Sequence, residues 1–346
     1  MTRVRFAGRS YWGLCVVVAV VFALSAAGVA AGAPEKVVFR LNWIPEGEGD
    51  HAMFYVALDR GYYRDLGLDV EIQRGAGSGD TVNRVVAGSV DIGYADTPSI
   101  LTGVGQGASL KVVGMLYQTT PLTLWTRKDT GITSIRQLAG RTIGAPAGDA
   151  HRVFFPALAK ANGLDPASVQ WVNMAPGAKI QSLAAGRIDA TVYFLDGLPL
   201  FYEALGKENT VYFHWPKHGV NPYGNAFFLR EETLRARRDM VARFLDATYK
   251  GLQWTILNPD EAVQIVARYV PAARPALLKE MLNVELDLMY SEEVRLHGLG
   301  WIDAARMAYT VALVQQYIDL PRQIDAASVY TNELLPRYSW PLNPTR

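Results

Sequence analysis

A segment of thirteen residues occurs twice in this chain, with its copies 98 positions apart. The first copy, GDTVNRVVAGSVD, covers residues 79–91, and the second, GAKIQSLAAGRID, covers residues 177–189. Each copy is typical of a glycine-led helix that has an apolar stripe, ends at a glycine and is followed by a buried strand. The repeat predicts two similar α/β lobes with a cleft between them. The alternative is chance agreement, because glycine-capped amphipathic helices are common.

A second correspondence precedes each copy and extends the repeat upstream. Residues 49–58 match residues 148–158 with a single one-residue insertion. Each stretch follows a predicted strand, at 37–43 in the first lobe and at 142–146 in the second. Each lobe is therefore predicted to run strand, loop, helix, strand, glycine loop, helix, strand, which indicates an α/β fold with a mostly parallel sheet flanked by helices. Ligands bind at the edge where such strands end.

Two extended segments indicate where the chain passes between the lobes. Residues 118–127 are β-rich with an internal proline, and residues 214–229 hold three turn-forming residues before another strand. We therefore predict lobe 1 at 35–120, lobe 2 at 125–218, and a return to lobe 1 with C-terminal helices at 223–346. Those helices are expected to pack onto lobe 1.

The N-terminus has the pattern of a cleavable export signal. Arg3, Arg5 and Arg9 precede an apolar run that ends in small residues, so we predict a signal peptide over residues 1–31. The alternative is that the segment is retained as a membrane anchor. The one cysteine, Cys15, lies inside the signal, and a cysteine-free mature chain fits a bacterial periplasm. The remaining length is enough for two domains.

The charge of the chain argues against two classes of partner. The net charge is +1, and removal of the three signal-peptide arginines leaves −2. Such a chain has little electrostatic attraction for nucleic acid or for an anionic membrane. No later segment is apolar for long enough to span a bilayer. We expect a soluble, exported, monomeric protein that binds a small molecule and no nucleic acid.

Four loops are expected to converge on the cleft, at residues 42–51, 74–81, 145–152 and 173–179. Helix N-termini in these loops would present unpaired N–H groups to acceptor groups of a ligand. Aromatic side chains at strand ends would stack on a flat ligand, and aspartates there would accept its N–H groups. The alternatives are core packing for the aromatic residues and helix capping for the aspartates. The candidate ligand-binding residues are Asn42, Trp43, Glu46, His51, Ser78, Gly79, Thr81, Asp96, Tyr117, Asp149, Tyr193, Asp196, Tyr223 and Asn225.

No catalytic or metal site is predicted. The acidic loop that contains Glu46, Glu48, Asp50 and His51 has neither the spacing of a calcium loop nor an H-x-x-x-H partner. The mature chain has no Cys–His pair, no G-x-S-x-G sequence and no Walker-type sequence. The acidic loop is expected to form a polar wall for a ligand or a solvated surface. We therefore expect no cofactor, no metal and no enzymatic activity.

Five stretches resemble the solute-binding proteins of ABC importers, in the branch that binds nitrate, sulfonate, taurine and the pyrimidine precursors of thiamine. Four of them lie in lobe 1: LNWIP at 41–45, HAMFYVALDRGYYRDLGLDV at 51–70, GSGDT at 77–81 and AGSVDIGYAD at 87–96. The fifth, SIRQLAGRTIG at 134–144, resembles the stretch that opens lobe 2 in that family. The resemblance implies a type II periplasmic-binding-protein fold with two hinge crossings, which closes on its ligand and delivers it to a membrane permease.

The resemblance also implies that particular residues lie near the ligand. They are Trp43, His51, the 78–81 loop, Asp96 and the crossing tyrosine, Tyr223. Thiamine-precursor binders usually place the histidine about four residues after the proline, whereas here His51 follows Pro45 by six positions, with two glutamates between them.

That acidic insertion favours a ligand with N–H or ammonium groups, because carboxylates repel anions. We expect a small aromatic or heterocyclic ligand, such as an aminopyrimidine precursor of thiamine. The alternative is a sulfonate, taurine, nitrate or a carboxylate. A more distant alternative is an enzyme like the eukaryotic pyrimidine synthases, which share the fold but use a cysteine-rich motif that the mature chain lacks.

Overall fold

The structure is a computed structural model that describes residues 1–3 and 33–341. The predicted signal peptide thus lies outside the described residues, apart from its first three. Among the described residues, none of the helices has the length and apolarity that a membrane crossing requires.

Within residues 33–341, ten strands form two five-stranded sheets, one in each lobe. The order is β2-β1-β3-β10-β4 in lobe 1 and β7-β6-β8-β5-β9 in lobe 2. The strands are β1 Glu35–Arg40, β2 Leu68–Gln73, β3 Ile92–Asp96, β4 Leu110–Met115, β5 Leu122–Arg127, β6 Thr142–Ala145, β7 Gln170–Asn173, β8 Ala190–Phe194, β9 Thr210–His214 and β10 Asn225–Arg230. The two orders correspond strand by strand, so the predicted duplication of the α/β lobe is confirmed.

Each sheet contains one antiparallel strand that enters from a crossing segment. β5 follows the first crossing and runs antiparallel to both of its neighbours, β8 and β9. β10 follows the second crossing and runs antiparallel to β3 and β4. The remaining paired strands are parallel, as predicted. The chain therefore passes between the lobes twice, directly before β5 and directly before β10.

Two of the identical pairs in the repeat, the glycines after the helices and the aspartates before the strands, have equivalent structural roles in the two lobes. Gly88 and Gly186 follow their helices with φ values of 76° and 69°, a conformation that favours glycine. Asp91 Oδ2 accepts a hydrogen bond from the Val38 N–H, and Asp189 Oδ2 accepts one from the Thr142 N–H, each at 2.8 Å. The aspartates therefore bind the start of β3 and β8 to the neighbouring parallel strand.

Thirteen α-helices flank the sheets within the described part of the chain. They are α1 Ala52–Asp59, α2 Tyr62–Asp65, α3 Ser78–Val86, α4 Thr97–Gly105, α5 Ala150–Ala161, α6 Lys179–Ala184, α7 Leu198–Leu205, α8 Glu231–Ala236, α9 Arg238–Leu257, α10 Pro259–Tyr269, α11 Pro275–Met289, α12 Glu292–His297 and α13 Ala304–Tyr317. Helices α3 and α6 are the helices of the repeat. Apolar residues of each, Val82 and Val85 in α3 and Leu183 in α6, are buried against their sheets.

The C-terminal helices contact both lobes, which differs from the expectation that they pack onto lobe 1. Helices α9 and α10 do pack on α1 of lobe 1. Helix α11, however, contacts α7 and the turn after β8 in lobe 2, and α13 contacts α4 in lobe 1 and α5 in lobe 2. Arg274, directly before α11, donates a hydrogen bond of 2.9 Å to Glu203 of α7. The C-terminal region therefore bridges the cleft from outside.

Candidate ligand-binding cleft

The lobes are in contact across a narrow cleft at the C-terminal ends of their parallel strands. The cavity between them measures about 20 Å³, which is enough for about one ordered water molecule. Its walls come from both lobes and from all four loops that the sequence predicts. The lining residues are Asn42, Trp43, Glu48, Gly77, Ser78, Asp149, Ala150, His151, Lys179, Tyr193 and Phe194.

Two aromatic side chains and one lysine form the outer wall of the cleft. Trp43, after β1, and Tyr193, in β8, lie edge to face with ring centroids 6.0 Å apart. The ammonium group of Lys179 lies 4.1 Å from the Trp43 ring and 4.8 Å from the Tyr193 ring, so it makes cation–π contacts with both. The Tyr193 hydroxyl donates a hydrogen bond of 2.6 Å to the carbonyl of Gly47. These contacts join lobe 2 to the acidic loop of lobe 1.

Asp149 holds the buried cation of this wall. It caps helix α5 by accepting a hydrogen bond from the His151 N–H, and its Oδ2 is 3.0 Å from the Lys179 ammonium. The His151 ring lies 2.7 Å from Asp149 Oδ1 and 3.0 Å from the Tyr193 carbonyl. Burial by itself would raise the pKa of Asp149, but Lys179 and His151 together hold it below its ordinary value. The aspartate is therefore an ionised partner for Lys179.

The N-terminus of α3 meets lobe 2 through its backbone. The Gly79 N–H donates a hydrogen bond of 2.9 Å to the carbonyl of Gly148 across the cleft. Ser78 lines the cavity, and its hydroxyl oxygen accepts a hydrogen bond from the Asp96 N–H. Thr81 instead donates its hydroxyl hydrogen to the Leu41 carbonyl inside lobe 1. The hydroxyl proton of Thr81 is therefore already bonded within lobe 1, and its contact with a ligand stays a prediction.

The acidic loop folds inward rather than into solvent. Asn42 donates from Nδ2 to both oxygens of Glu48, at 3.1 and 2.9 Å, and its Oδ1 is 3.0 Å from His51 Nε2. The Tyr94 hydroxyl donates to Asp50. Burial raises the pKa of Glu48 to about 8 and that of Asp50 to about 6. Glu48, Asp50 and His51 each offer a ligand atom within 4.8 Å of the others, so this group has the composition of a possible metal site.

Further polar groups are buried behind the cavity. The carboxyl groups of Asp196 and Glu285 form a hydrogen bond with each other, and the Tyr117 hydroxyl is hydrogen-bonded to Asp50. The side-chain amide of Asn225 is buried and is hydrogen-bonded to Tyr94. Burial and the negative charge of Glu48 raise the pKa of Asp196 well above its ordinary value. A carboxyl pair that is buried this deeply is stable when the two groups share a proton.

Asp96 combines the two roles that the sequence left open. Its Oδ1 caps helix α4 by accepting a hydrogen bond from the Ser99 N–H, while its Oδ2 is buried and unpartnered. Burial raises the pKa of Asp96 to about 7. Asp96 therefore caps a helix with one carboxyl oxygen, while its other oxygen has no hydrogen-bond partner among the described residues.

Glu46 and Tyr223 line other depressions instead of the cavity. Glu46 accepts a hydrogen bond of 2.6 Å from Arg74 and lines an outer groove of about 350 Å³ on the other side of Tyr193. Tyr223 lies in the second crossing, where its hydroxyl accepts a hydrogen bond of 2.9 Å from the Asp303 N–H. It lines a separate depression beside the crossing segments. The expectation that the crossing tyrosine contacts the ligand is thus not supported by the geometry.

Glu48 and Asp50 belong to the acidic loop that was expected to form a polar wall, although they were not among the candidate residues. Other residues of the cleft were not predicted: Gly77, His151, Lys179, Phe194 and Glu285. Lys179 could have been found, because it replaces Thr81 in the second copy of the repeat. Glu285 could not, since it belongs to helix α11, and its Oε1 reaches the cleft by accepting a hydrogen bond from the Gly49 N–H at 3.0 Å.

Comparison with known proteins places these features in a family. The family model described as NMT1/THI5 like matches residues 48–262. The chain is 26% identical over 332 residues to the riboflavin-binding protein of Chloroflexus aurantiacus, covering 91% of this chain and 92% of that protein. It is 22% identical over 287 residues to the formylaminopyrimidine-binding protein of Halalkalibacterium halodurans, covering 78% and 85%.

A solved structure supports the fold. The alkanesulfonate-binding protein of Xanthomonas axonopodis, bound to MOPS, superposes with a TM-score of 0.64 at 15% identity, covering 87% of this chain and 99% of that one. This likeness confirms the predicted two-lobe periplasmic-binding-protein fold. Because the family model matches more than half of the chain, and because the duplicated lobes and their cleft agree with it, the protein belongs to the NMT1/THI5-like family.

Proposed function

We propose that the protein is an extracytoplasmic receptor of an ABC importer, which captures a small aromatic heterocycle and delivers it to a membrane permease. The observation that carries the proposal is the pair Trp43 and Tyr193, which come from opposite lobes and lie 6.0 Å apart across the cleft. Aromatic faces of this kind bind flat ligands by stacking. The riboflavin-binding and formylaminopyrimidine-binding relatives are named for such ligands.

The polar groups of the cleft favour a ligand with N–H donors. Glu48 lines the cavity, and Asp50 and Asp196 are buried close to it. Carboxyl oxygens accept hydrogen bonds from ring N–H and amino groups, and they offer no positive charge to a sulfonate or a nitrate. An aminopyrimidine precursor of thiamine is therefore the favoured ligand. The alternative is a sulfonate, taurine, nitrate or carboxylate, for which Lys179 is the one buried cation lining the cavity within the described residues.

Lobe closure is the proposed mechanism of capture. A cavity of about 20 Å³ does not hold an aromatic ring, so the lobes must separate for a ligand to enter. The two crossing segments are where such a movement has to occur. A ligand that contacts both lobes at once then stabilises the closed form through its differential affinity. We also propose that the protein is a monomer, that it resides in the periplasm, and that it binds its ligand without converting it.

A thermal-shift screen of the mature chain tests the proposal. The probes are 4-aminopyrimidines, riboflavin, alkanesulfonates, nitrate and aromatic carboxylates. We expect the largest stabilisation from a heterocycle, since a tight ligand raises the melting temperature by mass action. The shift should disappear in Trp43→Ala and persist in Trp254→Ala, a tryptophan that instead packs under Arg60 on the outside of lobe 1. Stabilisation by sulfonates alone, or turnover of a probe, would contradict the proposal.

A further inference from the structure

The ammonium group of Lys179 lies against both aromatic side chains that are proposed to bind the solute. It is 4.1 Å from the Trp43 ring and 4.8 Å from the Tyr193 ring, and the residue is only 1% exposed. A cation within roughly 6 Å of an aromatic ring is attracted to its face, most strongly where water is excluded. The aromatic pair of the cleft therefore already has a cation as its partner, and that cation belongs to the protein.

Asp149 favours the charged form of this buried lysine. Its Oδ2 lies 3.0 Å from Lys179 Nζ, and within the described residues it is the one side chain that accepts a hydrogen bond from the ammonium group. Burial lowers the pKa of Lys179, whereas Asp149 and, less strongly, Glu48 favour its charged form. An ammonium group has three N–H donors. Lys179 therefore adds a positive charge and further hydrogen-bond donors to the lobe 2 wall of the cavity.

The two walls of the cavity differ at equivalent positions of the repeat. The residue that corresponds to Lys179 in the first copy is Thr81, which is uncharged and is bonded to the Leu41 carbonyl inside lobe 1. The lobe 1 wall instead contributes Glu48, which is buried and bonded to Asn42. A solute in the cavity therefore meets carboxyl oxygens on one side and an ammonium group on the other.

We propose that Lys179 determines the charge selectivity of the cleft, so that a cationic solute is excluded and an uncharged heterocycle is accepted. A cationic solute competes with the ammonium group for the faces of Trp43 and Tyr193, and at this distance like charges repel. An uncharged heterocycle has neither disadvantage, and its ring nitrogen or carbonyl oxygen can accept an N–H of Lys179. Selectivity then comes from a repulsive element in addition to attractive contacts. The inference rests on the proposed function and adds the charge state of the solute.

Affinities for a matched pair of probes test the proposal. The probes are 4-amino-5-hydroxymethyl-2-methylpyrimidine, which is uncharged at pH 8, and its cationic N1-methyl derivative. Calorimetry at pH 8 should show that the unmodified protein binds the uncharged probe about 10-fold or more tightly than the cation. The double variant Lys179→Met, Asp149→Asn removes both charges and keeps a capping side chain on helix α5. In this variant the ratio of the two affinities should fall about 10-fold, whereas a purely structural role of Lys179 would change both affinities by the same factor.

Two single variants serve as controls. Lys179→Arg keeps the positive charge and should keep the preference for the uncharged probe. Lys207→Met removes an exposed lysine of the same lobe that also lies near an aromatic ring, 5.9 Å from that of Tyr202, and should change neither affinity. Circular dichroism of every variant distinguishes a change in the cleft from loss of the fold. An affinity ratio that stays the same in the folded double variant would overturn the proposal.

A third variant separates the failure of this inference from that of the proposed function. Lys179→Ala removes the protein's own cation from beside Trp43, Tyr193 and Asp149, so it should bind tetramethylammonium chloride, whereas the unmodified protein should not. If neither pyrimidine binds the unmodified protein, the heterocycle proposal fails and the tetramethylammonium result decides the charge selectivity. A gain of tetramethylammonium binding then supports it, and no gain in the folded variant overturns it.

Discussion

Tyr193 connects the lobes through a single hydroxyl group. That hydroxyl donates to the Gly47 carbonyl, and the ring packs against Trp43. In Tyr193→Phe the ring remains, but the hydrogen bond that exists only in the closed form is lost. We expect solute affinity to fall about 2–10-fold, in line with the net value of one hydrogen bond. Calorimetry with the solute that stabilises the protein most in the screen measures this change.

Tyr212→Phe is the control for that experiment. Tyr212 lies in β9 of the same lobe, is 37% exposed and packs on Trp125, away from the cleft. Its substitution should leave the affinity unchanged. If Tyr193→Phe binds as tightly as the unmodified protein, the Tyr193–Gly47 bond makes no contribution to closure.

Asp96 makes stability depend on pH in a predictable direction. Burial raises its pKa to about 7 in the folded protein, above the value of 3.8 expected when it is exposed. The folded state therefore holds the proton more tightly, and the stabilisation this gives is complete below pH 4 and is lost as the pH rises through 7. Asp96→Asn keeps a capping side chain without the charge. We expect the stability of this variant, relative to the unmodified protein, to increase from pH 5 to pH 8 by up to roughly 2.6 kcal/mol.

Urea unfolding at pH 5, 6.5 and 8 measures this difference directly. Comparison with the unmodified protein cancels the contributions of His51 and His151, whose lowered pKa values act in the opposite direction. Asp129→Asn, an exposed aspartate at the surface of lobe 2, should show no such trend. A stability difference for Asp96→Asn that is constant with pH would mean that Asp96 is already ionised in the folded protein.

At the scale of the helix and strand, two glycines of the second copy, Gly186 and Gly177, allow the structural role of the repeat to be tested. Gly186 follows α6 with a φ of 69°, so Gly186→Ala should cost about 1–2 kcal/mol of unfolding free energy. Gly177, in the same copy, has no left-handed backbone, and a Cβ there meets nothing within 4 Å. Gly177→Ala should be neutral or stabilising by about 0.4–1 kcal/mol. Urea unfolding of both variants measures the contrast, and equal effects would contradict the structural role assigned to the repeat.

The order of helices and strands could be predicted because it depends on local pattern. Gly88 and Gly186 mark helix ends, and the apolar stripes before them specify the buried faces. The aspartates of the repeat are recognisable in sequence, but their bonds to Val38 and Thr142 are visible only once the parallel strands are paired. The local sequence pattern therefore indicates which helices and strands form each lobe. The roles of individual side chains become clear only from how the strands pair.

The site was less predictable because it depends on packing between distant segments. Glu285 lies 236 positions from Gly49, to which it is bonded, and nothing in helix α11 distinguishes it from a surface glutamate. The close approach of helix α11 to the acidic loop also requires a glycine at position 49, since a Cβ there would lie 2.4 Å from the Leu282 nitrogen. Tyr223 shows the reverse case. Its position in a crossing segment predicted a place in the cleft, but in the structure its hydroxyl is bonded to the Asp303 N–H instead. Sequence position indicates which loops meet, but not which side chains face inward.

At the scale of the whole molecule, closure depends on how closely the two backbones approach. The Gly148 carbonyl accepts a hydrogen bond from Gly79, and a Cβ at Gly148 would lie 2.9 Å from the Asp80 nitrogen in the opposite lobe. The φ of Gly148 is not in the left-handed region, so alanine is compatible with its own lobe. Gly148→Ala therefore introduces a clash in the closed form alone. It tests closure without altering any group proposed to contact the solute through its side chain.

We expect Gly148→Ala to lower solute affinity about 10-fold or more, because a clash with backbone cannot be relieved by a rotamer change and costs roughly 1–3 kcal/mol. Small-angle scattering at saturating solute should give a larger radius of gyration than the unmodified protein, while the unfolding free energy without solute changes little. Gly177→Ala, with nothing within 4 Å of its new Cβ, should close normally. If Gly148→Ala closes and binds like this control, the contact between the lobes at Gly79 and Gly148 is not part of the bound form, and capture must occur with the lobes further apart.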